Sequence, residues 1–322
     1  FRSWVPFLVL SGAAIITVEC VAPSYATILD TYAARIWSPL GKGEMIKTPA
    51  KGSENWDSNY YKQSFAKGEK GEGSKEANQN AESVVQRIAE EGMVLLKNKE
   101  NSLPVSTSNK IALLGRGGVD PVYGGSGSGN VDTTTCATPR SGLEKAGFTL
   151  DEGVYNYFAG QVGNYARQNI VMDNYGGSTF FIGEVDPADY NDGSKFTIDA
   201  NETAVVFISR CGGEGLDLST DLKRDAQTAA SQAILNGSDA KATNATKEVN
   251  NYVDGQHELE LSSEEKGMLD FAKRNYNKVV VVLNESTTME VGDLKDDNDI
   301  DGIIWAGSPG STGFNALGEI LA

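Results

Sequence analysis

The chain has 322 residues, of which 39% are apolar and 22% charged, with 28 basic and 44 acidic side chains and a formal charge of −16. That is room for one large α/β domain plus an appendage, and it excludes a globally disordered chain. So acidic a surface repels phosphate backbones and argues against general nucleic-acid binding. One histidine, His257, and three scattered cysteines, Cys20, Cys136 and Cys211, give neither zinc-ligand spacing nor a disulfide framework. No metal and no cofactor is expected. A Ser-His-Asp triad would have to use His257, which lies in a polar stretch, and no Gly-x-Ser-x-Gly elbow accompanies it.

Residues 4–22 are almost continuously apolar, preceded by Arg2 and interrupted near the end by Glu19. A membrane-crossing helix needs about 20 such residues, so an N-terminal membrane-spanning helix, an uncleaved signal anchor, is the expectation for residues 1–36. A cleaved signal ending near Ala26 and a buried core helix are the alternatives. Either of the first two sends the remainder out of the cytoplasm, a single-pass protein with an extracytoplasmic globular part. Residues 37–77 turn rich in Gly, Lys, Glu and Ser, with Trp56, Tyr60 and Tyr61 interspersed, and are read as a polar linker or surface arm.

From residue 78 the pattern is globular. Ala81, Val84, Val85 and Ile88 fall on one helical face, and that helix leads into the apolar run 93–96. Four short continuous apolar runs follow, at 111–114, 204–208, 279–283 and 303–305. Continuous rather than alternating runs suit strands buried on both faces, as in parallel sheets covered by helices. Ser262, Ser263, Glu264 and Glu265 make a capping-box pattern ahead of the stripe Met268, Leu269 and Ala272, and another helix is predicted from Asn315. Residues 222–255, polar and rich in Asn, Ala, Thr and Lys, are read as a helix plus a long surface insertion. The expected fold class is an α/β layered sandwich, with a mostly parallel sheet flanked by helices.

Open parallel sheets bind ligands at the carboxyl ends of their strands. The loops leaving the four runs carry Arg116 with Gly115, Gly117 and Gly118, then the glycine-rich stretch 124–129; Arg210 with Gly213, Glu214 and Gly215; Asn284, Glu285 and Ser286; and Gly307 to Gly310. If the strands are parallel neighbours, these loops share one edge. Glu214 between two glycines is a candidate for general acid–base work, or a solvated loop acid with no role. The 124–129 stretch lacks the Gly-Lys-Ser/Thr of a Walker loop and the dinucleotide fingerprint. It is a flexible loop, or one small enough to let a sugar approach Ser126 or Ser128. Of the Asn-x-Ser/Thr sequons at Asn201, Asn236, Asn244 and Asn284, the last directly follows an apolar strand and is a poor glycan acceptor.

The ordered string Glu91-Gly92-Met93-Val94-Leu95-Leu96-Lys97-Asn98, Leu103-Pro104, Lys110 to Gly115, GGSGSG at 124–129, Ile208-Ser209-Arg210 with Gly213-Glu214-Gly215-Leu216-Asp217, the run from Lys278 to Asn284, and Trp305 through Pro309-Gly310 to Leu317 resembles the α/β-sandwich domain of glycoside hydrolase family 3. The resemblance implies retaining, exo-acting, β-glucosidase-like chemistry on terminal β-linked sugars. It also implies a partner (β/α)8-type barrel that supplies the aspartate nucleophile. Within the family's Gly-Glu-Gly-x-Asp motif the acid/base carboxyl corresponds to Glu214, and a sugar-contacting serine to Ser128 first and Ser126 next. Arg116 and Arg210 on the same edge complete the candidate substrate contacts. The arginine that commonly follows the motif aspartate is Leu218 here. Residues 78–322 are thus expected to be the sandwich domain of a partial chain in reversed domain order, inactive alone and acting on a β-glycoside or oligosaccharide. The alternative is a non-catalytic, membrane-tethered module that binds carbohydrate or a partner.

Overall fold

The computed structural model describes residues 72–125, 131–167, 169–171, 177–213 and 217–322. Within them the chain forms helix α1 (Glu72–Gly92), strand β1 (Val94–Asn98), β2 (Ile111–Leu114), α2 (Arg116–Val119), α3 (Pro139–Lys145), α4 (Glu152–Gln161), and a small hairpin of β3 (Asn169–Val171) and β4 (Gly177–Thr179). Then come β5 (Thr203–Arg210), α5 (Leu222–Asp225), α6 (Ala229–Leu235), α7 (Ala240–Asn251), α8 (Ser263–Asn275), β6 (Lys278–Glu285), α9 (Gly292–Asp296), β7 (Gly302–Trp305) and α10 (Phe314–Leu321).

The main sheet has the order β1-β7-β6-β5-β2. β2, β5, β6 and β7 run parallel, and β1 joins the β7 edge antiparallel with a register shift between Leu95 and Lys97. The sheet is therefore mixed, with a parallel majority. The four apolar runs are its parallel strands, and alternate side chains enter separate cores, as a period of two requires. Ala204, Val206 and Ile208 join Phe158, Tyr190, Met268 and Phe271 beneath α4 and α8. Val205 and Phe207 join Leu143, Phe314 and Leu317 beneath α3 and α10. Both faces are thus covered, and that is why the runs are continuously apolar rather than alternating.

Local signals hold the covering helices. Ser262 Oγ accepts from the Glu265 amide at 3.2 Å, and Glu265 Oε2 accepts from the Ser262 amide at 2.8 Å, closing the capping box of α8. α3 and α10 cross at two glycines: a Cβ on Gly142 would sit 1.9 Å from the Phe314 carbonyl oxygen, and one on Gly318 2.1 Å from the Gly142 oxygen.

The run that follows α1 is the edge strand β1, and its Val94, Leu95 and Leu96 are exposed. One expectation changes here: residues 222–255 are helical as expected in part, but the remainder is not a long surface insertion. They form α5, α6 and α7, and Ala226 and Ala245 pack against Ala166 and Phe181. Their polar composition misleads because part of what they bury is itself polar. The Glu248 carboxylate accepts from the amides of Ile182 at 2.7 Å and Gly183 at 3.0 Å and from the Tyr252 hydroxyl at 2.6 Å. Among the described residues no helix is long and apolar enough to cross a membrane. The apolar run 4–22, the boundary at 36 and residues 37–71 of the expected linker lie outside those residues, and the last part of that linker, 72–77, is the start of helix α1.

Candidate active-site edge

Because β2, β5, β6 and β7 are parallel, their carboxyl-end loops leave one edge. Asn284, fully buried near the end of β6, clasps two of them to the end of β5. Its Oδ1 accepts from the Val122 amide at 2.7 Å and from Ser209 Oγ at 3.3 Å. Its Nδ2 donates to the carbonyls of Val122 and Gly307, both at 2.8 Å. A side chain so enclosed accepts no glycan, as the sequon's place after an apolar run suggested. Further out, the Ser286 and Ser308 hydroxyls bond at 2.6 Å, and the Gly310 amide donates to the Tyr123 carbonyl at 2.7 Å. The glycine-rich loop closes onto the loop after β5: a Cβ on Gly125 would lie 3.3 Å from the Gly213 Cα. Residues flanking 126–128 and residues flanking 214 are therefore side by side. Ser126, Ser128 and Glu214 themselves lie outside the described residues. Asp217 and Leu218, just beyond, are exposed.

The two arginines of the edge are both buried and engaged by the protein. Gly115 turns the chain out of β2 at a φ of 94°, a left-handed conformation that favours glycine. This sets Arg116 at the start of α2, where its amide bonds to Glu184 Oε1 at 2.9 Å. Its guanidinium reaches Asp120 Oδ2 at 3.0 Å and the carbonyls of Tyr165 and Gly183 at 3.2 and 3.3 Å. Arg167 shares Asp120 at 3.4 Å. Burial raises the Glu184 carboxyl to about 7, against the pull of the Arg116 and Val185 amides.

Arg210 ends β5, and all five donors of its guanidinium are taken. Nε donates to the Glu258 carbonyl at 2.9 Å, Nη1 to the Ser209 carbonyl at 3.1 Å and to Glu265 Oε1, and Nη2 to the Glu260 carbonyl and Glu265 Oε2, both at 2.8 Å. The expectation that Arg210 contacts substrate is corrected on this geometry: no donor is left for a sugar, and the side chain fastens the 258–260 segment and α8 to the end of β5. Burial works against its charge, and Glu265 more than offsets it, so the guanidinium is held above its ordinary range.

Sequence reasoning overlooked Asn284 as the clasp, Glu184 beneath Arg116, and Glu285 beside Arg210. The available signal was polar residues closing a continuously apolar strand on the ligand-binding edge. A small cavity lined by Arg167, Phe181, Cys211, Leu222 and Glu258 opens next to Cys211. Elsewhere, His257 Nε2 lies 3.1 Å from Glu260 Oε1 and 3.4 Å from Glu290 Oε1. It is the one grouping among the described residues with three potential metal donors, and it is partly exposed. Acidic groups so placed pair with a histidine as readily as with a cation.

Comparison with known proteins agrees with this architecture. Residues 93–322 match the model of the glycosyl hydrolase family 3 C-terminal domain. Beta-glucosidase A of Butyrivibrio fibrisolvens is 30% identical over 271 residues, which cover 83% of this chain and 30% of that protein. In fold, the chain resembles beta-glucosidase 3B from Thermotoga neapolitana in complex with alpha-D-glucose, with a TM-score of 0.52 and 23% identity over 76% of this chain and 29% of that one. It resembles a beta-glucosidase from Paenibacillus barengoltzii with a TM-score of 0.51 and 20% identity over 74% of this chain and 22% of that one. The chain thus spans less than a third of the length of these relatives. With a family model covering residues 93–322, the chain belongs to glycosyl hydrolase family 3, in that family's C-terminal domain.

Proposed function

We propose that this chain is the acid/base-bearing part of a retaining β-glycosidase of β-glucosidase type, with Glu214 as the proton shuttle. Glu214 protonates the departing glycosidic oxygen, then takes a proton from the incoming water. The observation that carries the reading is the closure of the loop at Gly125 onto the loop at Gly213. Gly125, just before Ser126 in the chain, lies against Gly213, just before Glu214, so the two loops can serve one sugar. Arg116, on the same edge, is held by Asp120 and by the carbonyls of Tyr165 and Gly183.

Retaining hydrolysis needs a second carboxyl about 5–5.5 Å from the first, across the sugar. Asp217, three residues on and exposed, is a poor stand-in. The nucleophile and most sugar contacts are assigned to a (β/α)8-type barrel partnering this domain, so the domain alone does not turn over. Residues 78–322 are read as the sandwich domain, 37–77 as its tether and 1–36 as a signal anchor. The support for the anchor is the run 4–22, and a globular part on the outer face of the cell membrane follows from it.

Glu214→Gln in the full-length protein tests the assignment. Loss of general acid–base catalysis lowers kcat about 10²–10⁴-fold for β-glycosides with poor leaving groups. Substrates with acidic phenol leaving groups lose less in the first step. Equal rates for natural glycosides in the variant and the parent would remove Glu214 from the chemistry.

A further inference from the structure

Glu285 closes β6 and is fully buried. Neither of its carboxyl oxygens has a hydrogen-bond partner among the described residues. The Met289 amide weakly favours its charged form without closing a hydrogen bond. In the parallel ladder its Cα partner is Arg210. One buried cation is acted on by two carboxyls, Glu265 on α8 and Glu285 on β6, and only Glu265 is bonded to it. Every N–H of Arg210 is already committed.

We propose that Glu285 is a positioning residue for the loop that carries Glu214, compatible with the Arg210–Glu265 pair only as the neutral acid. The inference rests on the acid/base reading of Glu214. Once its proton leaves to solvent, the Glu285 carboxylate competes for a guanidinium with no donor to spare. Arg210 must then release the 258–260 segment or Glu265. Arg210 is the last residue of β5, four positions before Glu214 in the sequence, so a change in its bonds alters the point from which that loop departs. Burial raises the Glu285 carboxyl to about 8, Glu265 adds to the rise, and Arg210 opposes it. The other charged groups around the pair are Glu258, which acts on Arg210, and Glu184, whose carboxyl feels the charge of Glu265. An unpartnered acid on a cation's flank is costly to keep.

The test uses the full-length protein with Glu285→Gln, which has the shape and neutrality of the protonated acid. Infrared difference spectra at pH 7 between parent and variant should contain the carbonyl stretch of one protonated carboxyl; the Glu184 and Glu248 signals cancel. As a second variant, Glu265→Gln in a Glu184→Gln background, which removes the other carboxyl that feels Glu265, frees Arg210 to pair with Glu285, and the protonated-acid signal should fall at the same pH. In activity, the ratio of kcat/KM at pH 8.5 to that at pH 6.5 should be about fourfold higher in Glu285→Gln than in the parent, for a group titrating near 8. A null infrared difference overturns the proposal whatever Glu214 does. Superimposed pH profiles overturn the positioning role even if the infrared signal is present. Should Glu214→Gln prove fully active, the acid/base reading fails separately, because the infrared result does not depend on it.

Discussion

Arg210 and Glu265 form a buried pair in which one carboxylate serves two elements: Glu265 Oε2 accepts from Arg210 Nη2 at 2.8 Å and from the Ser262 amide that begins α8, also at 2.8 Å. The helix cap and the strand end are thereby one unit. Removing Arg210 leaves the Glu265 carboxylate buried without its cation, which typically costs about 3–5 kcal/mol. Arg210→Met should lower stability by that order in urea unfolding, and Glu265→Ala by less, because Glu285 can then pair with Arg210. The double substitution should cost much less than the sum of the two.

Asn284 predicts a different defect. Asn284→Ala removes the clasp and leaves the Val122 amide and two carbonyls unpaired, at about 1–3 kcal/mol for each unsatisfied group. Stability should fall by a few kcal/mol, and hydrogen exchange should quicken first at Val122. A variant with native exchange there would show that the loops hold together without the clasp.

Glycines on different helices should respond with opposite sign. Gly142→Ala drives a Cβ into the Phe314 carbonyl at 1.9 Å. Both contacts are backbone, so α3 and α10 must separate, at about 3 kcal/mol or more. Gly160, inside α4, has open space around its would-be Cβ. Gly160→Ala should therefore stabilise by about 0.4–1 kcal/mol through the unfolded state. Thermal melts of the two variants against the parent check both.

Stability should fall as pH rises. Burial raises Glu184 to about 7, and Glu248 and Glu285 to about 8. A carboxyl with a raised folded pKa holds its proton in the folded state after the unfolded chain has released it. Its contribution is complete below the unfolded value of about 4.3 and is lost by the time pH has risen through the folded value. Melting temperatures should decline from about pH 5 to pH 8. Glu248→Gln should flatten part of that decline; an unchanged slope would show that Glu248 is ionised throughout.

The four parallel strands and the cap of α8 were legible in the sequence for a physical reason. A strand covered on both faces must be apolar at every position, and a helix N-terminus needs a side-chain acceptor within three residues. Both are local demands. The sharing of one edge by the glycine-rich loop and the Gly213 loop followed once parallel order was assumed. The edge strand β1 and the packed helices at 222–251 were not legible. An exposed edge strand obeys no burial pattern, and helices that bury alanines and a carboxylate read as polar surface.

What the sequence alone determined is the layered α/β class, the edge where ligands gather and the family to which its motifs belong. The tertiary structure alone decided the partners of the polar side chains on that edge. Arg210, as a residue type on a loop edge, suggested a hand for substrate. Its acceptors lie 48 to 55 residues further along, apart from its own neighbour Ser209. Hydrogen bonds of that range follow from how strands and helices stack, and no local spacing encodes them. The same holds for Glu285: its neighbour in the chain is a serine, and its neighbour in space is a cation.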